Sequence, residues 1–241
     1  MPYLPSLGLV YVAIPKTGTT SLIRALRDVY EPTGNKVQLL TEKIDRQFRK
    51  KYRLDQIGDK KPGHAKHLSA LQLKYILGDE EFARCTKFSV VRNPWAMMVS
   101  RYFFTRVESE PSLIEKLRRG TSRRFHEREF EPWIEKFLAR HKSGERRNSQ
   151  LAKLVDLDGN LLVDYVGRLE DVQVTLDWLS QRVGVDRIGI PHLNGARKGH
   201  YSQFYNQATK EMVAEICKLD IEYFGYQYEE ARPAATRASA N

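Results

Sequence analysis

Six consecutive apolar residues, Leu9–Ile14 (LVYVAI), run without a break into Pro15-Lys16-Thr17-Gly18-Thr19-Thr20-Ser21 and from there into helical spacing. A continuous, β-rich apolar run is the pattern of a strand buried on both faces. Over 19–30, Leu22, Leu26, Val29 and Tyr30 recur on one side with polar residues opposite, as on an amphipathic helix. The opening unit therefore reads as strand, polar loop, helix. That order commits the chain to a sheet covered by helices, because a strand apolar on both faces must be packed on both faces.

The rest of the chain repeats the alternation. Residues 68–77 read as a helix stopped by Gly78, and 85–91 (CTKFSVV) as a second core strand. Asn93-Pro94 then supplies an N-cap and a first-turn proline for the helix WAMMVSRYFF. Residues 161–166 (LLVDYV) read as a further strand, 170–183 as a helix closed by Gly184, and 208–224 as a last helix. Strands alternating with helices argue for a parallel sheet, and in such sheets ligands bind beyond the C-terminal strand ends. The loops at 15–21 and 92–100 both follow strands, so they are expected to converge.

Charge narrows the partners. The 241-residue chain carries a formal +10, and 101–147 alone holds 13 Lys and Arg against 8 Glu. A basic surface suits an anionic partner, such as a nucleotide, a nucleic acid or an acidic glycan, without choosing among them. No nucleic-acid-binding module signature is present, so no nucleic-acid partner is expected. Cys85 and Cys217 are far apart and in no metal-binding spacing. They read as two reduced, buried thiols, with a single disulfide left open. The N-terminus lacks the basic region of a signal peptide, and no apolar stretch is long enough to span a membrane. The expectation is a cytoplasmic protein.

The loop carries the first chemistry. Backbone N–H groups at a helix N-terminus attract anions. Gly18 permits close backbone approach, Thr17, Thr19, Thr20 and Ser21 bring hydroxyls, and Lys16 brings a positive charge. The indicated ligand is a phosphate or phosphosulfate. The loop is not a Walker A motif, which requires GxxxxGK[ST], and this weakens a nucleotide kinase reading.

PKTGTTSL resembles the 5′-phosphosulfate-binding loop of the PAPS-dependent sulfotransferases (PAPS is 3′-phosphoadenosine-5′-phosphosulfate), and FSVVRNPWAMMVSRY resembles their 3′-phosphate-binding strand and helix. The resemblance implies that Arg92 and Ser100 hold the donor's 3′-phosphate. Ser100 lies seven residues after Asn93, two turns along one helix face, so its hydroxyl can look back toward Arg92. VDYVGRLEDV, IPHLNGARKGHYSQFY and DIEYFGYQY are similar to the carbohydrate (membrane-type, heparan- and chondroitin-like) branch and its bacterial relatives. The loop 194–200 corresponds to the family segment that closes over the nucleotide. Asn194, Arg197 and Lys198 are its candidates for donor contact, beside the equal alternative of a solvated basic loop. The implied fold is α/β: a P-loop-like parallel sheet flanked by helices, as a single domain over 1–230. A basic, largely helical insertion at 101–150 would face the acceptor, and 231–241 would be a flexible tail.

The resemblance implies transfer of a sulfuryl group from PAPS to an acceptor hydroxyl, with PAP (3′-phosphoadenosine-5′-phosphate) as product and no metal required. The acceptor would be a sugar or glycoconjugate, with a small-molecule alcohol or phenol as the alternative. Transfer needs a base, and histidine titrates in the right range. Among His64, His67, His126, His141, His192 and His200, the first two directly precede a helix. Positive helix-end potential there disfavours imidazolium. His67-Leu68-Ser69 matches the family's His-x-Ser context best, with His64 as runner-up or acceptor-orienting residue. Lys16 would also stabilise charge growing on the leaving phosphate oxygen. Arg118, Arg119, Arg123, Arg124 and Arg128, interleaved with Phe125, Phe130 and Trp133, read either as an acceptor-binding surface or as a solvated helix face.

Overall fold

The computed structural model describes residues 2–31, 38–39, 67–109, 123–141, 149–189 and 199–230. Its strands are β1 (Pro2–Leu4), β2 (Leu9–Val12), β3 (Gln38–Leu39), β4 (Thr86–Val91) and β5 (Tyr165–Arg168). They form one sheet in the order β3-β1-β2-β4-β5. The three strands that carry the fold are parallel. Leu9 lies opposite Thr86 and Val12 opposite Ser89; Phe88 lies opposite Tyr165 and Val91 opposite Arg168. β1 adds an antiparallel edge against β2 and pairs the same way with β3. Neither β1 nor β3 is signalled in the sequence, because three- and two-residue strands are too short to show a period.

The helices are α1 (Thr19–Tyr30), α2 (Ala70–Leu77), α3 (Asp79–Arg84), α4 (Pro94–Ser109), α5 (Arg123–His141), α6 (Val172–Val183), α7 (Gln207–Ile216) and α8 (Lys218–Phe224). The expected single helix over 208–224 is therefore two. The break falls at Cys217, which leaves helical geometry at φ −98, ψ 16 with no glycine or proline to announce it. The strand expected at 161–166 is also displaced. Leu161 forms only an isolated antiparallel bridge to Val155, closing a turn in which the Asp156 carboxylate accepts from the N–H groups of Asp158 and Asn160. The parallel ladder starts at Tyr165, after Asp164 has exchanged hydrogen bonds with Lys87.

Two cores hold the chain together. The first lies on the sheet, where β2 is buried along its whole length and packs with Leu22 and Leu26 of α1, Leu73 of α2 and Leu176 and Leu179 of α6. Tyr11 stacks on Phe88 of the neighbouring strand, ring centres 4.8 Å apart. Each such fully buried side chain contributes roughly 1.5–3 kcal/mol. The second core is aromatic and joins α4, α5, α7 and the short turn Tyr201–Phe204. Tyr102 meets Phe130 edge-on at 5.5 Å, and Phe103 meets Phe204 at 5.4 Å.

This second core takes in two aromatics of the basic segment. Phe130 is completely buried, and Trp133 is stacked between Phe130 and Phe137. These two aromatics pack the helices together, Phe130 fully buried and Trp133 half-buried. Phe125 and the arginines at 118, 119, 123, 124 and 128 have side chains outside the described residues. Cys85 and Cys217 are both free and buried, and burial pushes the Cys217 thiol up to about 12.

Candidate active site

The C-terminal end of β2 continues as buried Ala13 and Ile14 before the chain turns at Pro15. Lys16 has φ +70, the described non-glycine residue in the left-handed region, and Gly18 follows at φ +77 as the N-cap of α1. Alternating hand along a loop turns successive N–H groups to one side, the arrangement of an anion-binding nest. A glycine N-cap brings no side chain to occupy the first-turn amides of α1. The loop is stiffened from inside. The hydroxyls of Thr17 and Thr19 both donate to the Ile14 carbonyl, at 2.9 and 2.7 Å. Their protons thus point inward in this conformation, while Thr20 is exposed and Ser21 half-buried in the first turn of α1.

The second loop meets the first. Arg92, one residue past the end of β4, donates from Nη1 to the carbonyl of Lys16 at 3.2 Å. Burial lowers the guanidinium pKa below its ordinary value, and the nearby Glu170 carboxylate opposes that shift. Arginine still stays charged. Asn93 caps α4, its Oδ1 accepting from the N–H of Trp95 at 3.1 Å and of Ala96 at 3.4 Å. Ser100 lies half-buried on α4. The Lys16 ammonium packs over the ring of Phe104, 3.9 Å from its centre.

His67 reaches the same place from the other side. Its Nδ1 lies 3.1 Å from the carbonyl of Ala13. A carbonyl can only accept, so Nδ1 carries a proton, and in the neutral ring Nε2 would be the accepting nitrogen. Ser69 explains the His-x-Ser spacing in local terms. Its hydroxyl accepts from the Gln72 N–H at 3.2 Å, and the Gln72 side chain accepts from the Ser69 N–H at 2.8 Å. This capping box starts α2 and fixes where His67 leaves it.

A strand-end loop open to anions, an arginine bonded to it and a histidine hooked on the same strand form one cluster on three segments far apart in sequence. A family model described as "Sulfotransferase family" matches residues 3–227. The chain belongs to the sulfotransferase family. It is thus a transferase of the sulfotransferase type, with a sulfonate donor and a hydroxyl-bearing acceptor. Comparison with curated proteins and with solved structures gives no match.

In this sulfotransferase, His64, Asn194, Arg197 and Lys198 lie outside the described residues. Among the described residues no cluster of His, Cys, Asp and Glu is arranged to hold a metal ion. No helix among them is long and apolar enough to cross a membrane. The structure also adds residues that the sequence does not flag. Gln150, in the turn before Leu151–Lys153, accepts from the N–H of Arg92 at 2.8 Å and donates to its carbonyl at 2.7 Å. Lys153 donates to the carbonyl of His67 at 3.2 Å. Glu170 accepts from the Asn93 N–H at 2.8 Å. Asp220 of α8, fully buried, accepts from the Ser149 hydroxyl and from the N–H groups of Gln150 and Leu151, at 2.7, 2.8 and 3.0 Å. Burial raises its carboxyl above the ordinary 3.8 against the pull of these donors. Nothing in the local sequence marks these polar residues; their meaning comes from burial.

Proposed function

We propose that this sulfotransferase moves the sulfuryl group of PAPS to a hydroxyl of a carbohydrate or glycoconjugate, by in-line transfer with His67 as base. The observation that carries the reading is the bond from Arg92 to the carbonyl of Lys16. It sets a guanidinium against a loop whose amides are open to an anion, so a nucleotide with charge at both ends would have a partner for each. The loop amides and Lys16 would take the 5′-phosphosulfate, and Arg92 with Ser100 the 3′-phosphate.

The chemistry balances without further groups. The acceptor O–H gives its proton to Nε2 of His67, and the oxygen forms a bond to sulfur. The bond from sulfur to the bridging phosphate oxygen breaks, and its electron pair stays on that oxygen to leave PAP. Lys16 stabilises the charge that develops there. The proton on Nδ1, held by Ala13, keeps the ring in the tautomer this step needs. The assignment of the acceptor to carbohydrate rests on the likeness of the segments between Val163 and Tyr228 to the carbohydrate branch.

Calorimetric titration tests the donor. PAP should bind well ahead of adenosine 5′-phosphate (AMP), which differs from it only in lacking the 3′-phosphate, and should do so without magnesium. Arg92→Ala should weaken PAP by about 1–3 kcal/mol, the range for a lost charged hydrogen bond. His67→Ala should leave PAP binding near normal and slow turnover about 10²–10⁴-fold. Equal affinity for PAP and AMP would sink the donor assignment. Unchanged turnover in the His67 variant would remove it as base.

A further inference from the structure

β4 loses its ladder before it reaches Arg92. Its last paired residue is Val91, opposite Arg168, and the Val91 carbonyl takes the N–H of Leu169 at 2.8 Å. On the other side β2 has already turned away into the Lys16 loop, its last pair being Val12 with Ser89. The peptide groups of Arg92 still need partners in a partly buried place. Gln150 supplies both. Its carboxamide accepts from the Arg92 N–H and donates to the Arg92 carbonyl, as a neighbouring strand would, and so extends β4 by one residue. Gln150 itself is 1% exposed.

A carboxamide on a flexible stem fixes nothing unless its own backbone is fixed. Asp220 does that. Its two oxygens gather the Ser149 hydroxyl and two successive N–H groups, and the Ser149 oxygen in turn accepts from the N–H of Ala152 at 3.1 Å. A fully buried carboxylate is costly to take out of water, and the donors gathered on it must offset that cost. What the carboxylate adds is direction: three donors converge on it, and the turn has one seat.

We propose that Gln150, seated on Asp220, is a positioning residue for Arg92, so that its loss is felt more at the donor's 3′-phosphate than at the rest of the nucleotide. The proposal rests on the reading of Arg92 as the 3′-phosphate ligand. A guanidinium matches two phosphate oxygens only within a few tenths of an ångström. Rocking of the Arg92 peptide would spoil that match and loosen the bond to the Lys16 carbonyl, while the bonds of Thr17 and Thr19 to the Ile14 carbonyl still hold the body of the loop.

The test is titration of PAP and of AMP into the wild type, Gln150→Ala, Ser149→Ala and Ile134→Val. The last is a mild cavity in the second core, a cluster that contains none of Ser149, Gln150 and Asp220, and serves as the stability control. Gln150→Ala should weaken PAP about tenfold and AMP less than twofold. Ser149→Ala, which removes one donor from Asp220, should shift the PAP-to-AMP ratio in the same direction by about twofold to threefold. Ile134→Val should lower the melting temperature and leave the ratio alone. Wild-type protein that prefers PAP, with a Gln150→Ala ratio unchanged, overturns the positioning role alone. Should that variant not fold, an unchanged ratio in Ser149→Ala overturns it equally. Wild-type protein without a PAP preference overturns instead the reading of Arg92 on which the proposal stands.

Discussion

Lys16 meets two demands that pull against each other. The loop needs a left-handed residue at this point, which glycine adopts freely and lysine adopts at a cost of roughly 1–2 kcal/mol. The chemistry proposed for the loop needs an ammonium. The structure keeps the lysine at φ +70 and holds it there by the hydrogen bond from Arg92 to its carbonyl and by the ring of Phe104. A strained residue retained where an easier one would fit is a sign of use. Two substitutions separate the demands. Lys16→Ala removes the ammonium and keeps the strain; Lys16→Gly removes both. Thermal melts should find Lys16→Gly more stable than Lys16→Ala by about 1 kcal/mol, while both lose most sulfuryl transfer. Equal stability would mean that the backbone at this position is not strained in solution.

At the scale of elements, the strand-to-helix contacts set what the sheet can tolerate. β5 is the edge that receives α6, and they meet at Gly167. A methyl group there would come 1.9 Å from Thr175 Oγ1 and 3.1 Å from its Cβ. Thr175 is fully buried, and a β-branched side chain on a helix has little freedom to turn aside. Gly167→Ala should therefore destabilise the protein by about 1–3 kcal/mol in denaturant unfolding. Adding Thr175→Ala should recover part of the loss, and independent, additive effects would refute the contact. The elements themselves differ in how well the sequence announces them. β2, α1, β4 and α6 are legible because long apolar runs or regular spacing dominate there. The ladder of β5 is misplaced in the sequence because Leu161, Leu162 and Val163 are as apolar as strand residues, yet Asp156 turns the chain beside them and pairing waits for Tyr165. The break between α7 and α8 is silent because tertiary packing, not a breaking residue, makes it.

Across the whole molecule, stability and site both depend on contacts that close large loops. β1 is tied to α3 by a hydrogen bond from the Tyr3 hydroxyl to the Glu81 carboxylate, across 78 residues. The hydrogen bonds from Tyr3 and Arg84 hold the Glu81 carboxyl below its ordinary 4.5. A lowered folded-state pKa means stabilisation that is fully present above the ordinary value and is lost as pH falls through the lower one. Melting temperature should accordingly drop as pH falls below 4.5, and less steeply in Glu81→Gln; parallel curves for the two proteins would show that the pair does not tether the edge. The candidate site is legible only in part for the same reason. The loop at Lys16 and the strand end at Arg92 are contiguous motifs and can be read locally. Gln150, Lys153, Glu170 and Asp220 cannot, because each acts on a residue far along the chain through a fold the local sequence does not display. Their spacing also has a temporal side. Asp220 leaves the ribosome 70 residues after Gln150 and later still than Arg92. A nascent chain that stops short of α8 already carries the loop, the arginine and the carboxamide, but not the carboxylate that seats the turn. Completion of this cluster thus waits for the synthesis of α8, and a product terminated before it would carry the sulfotransferase motifs without the support beneath them.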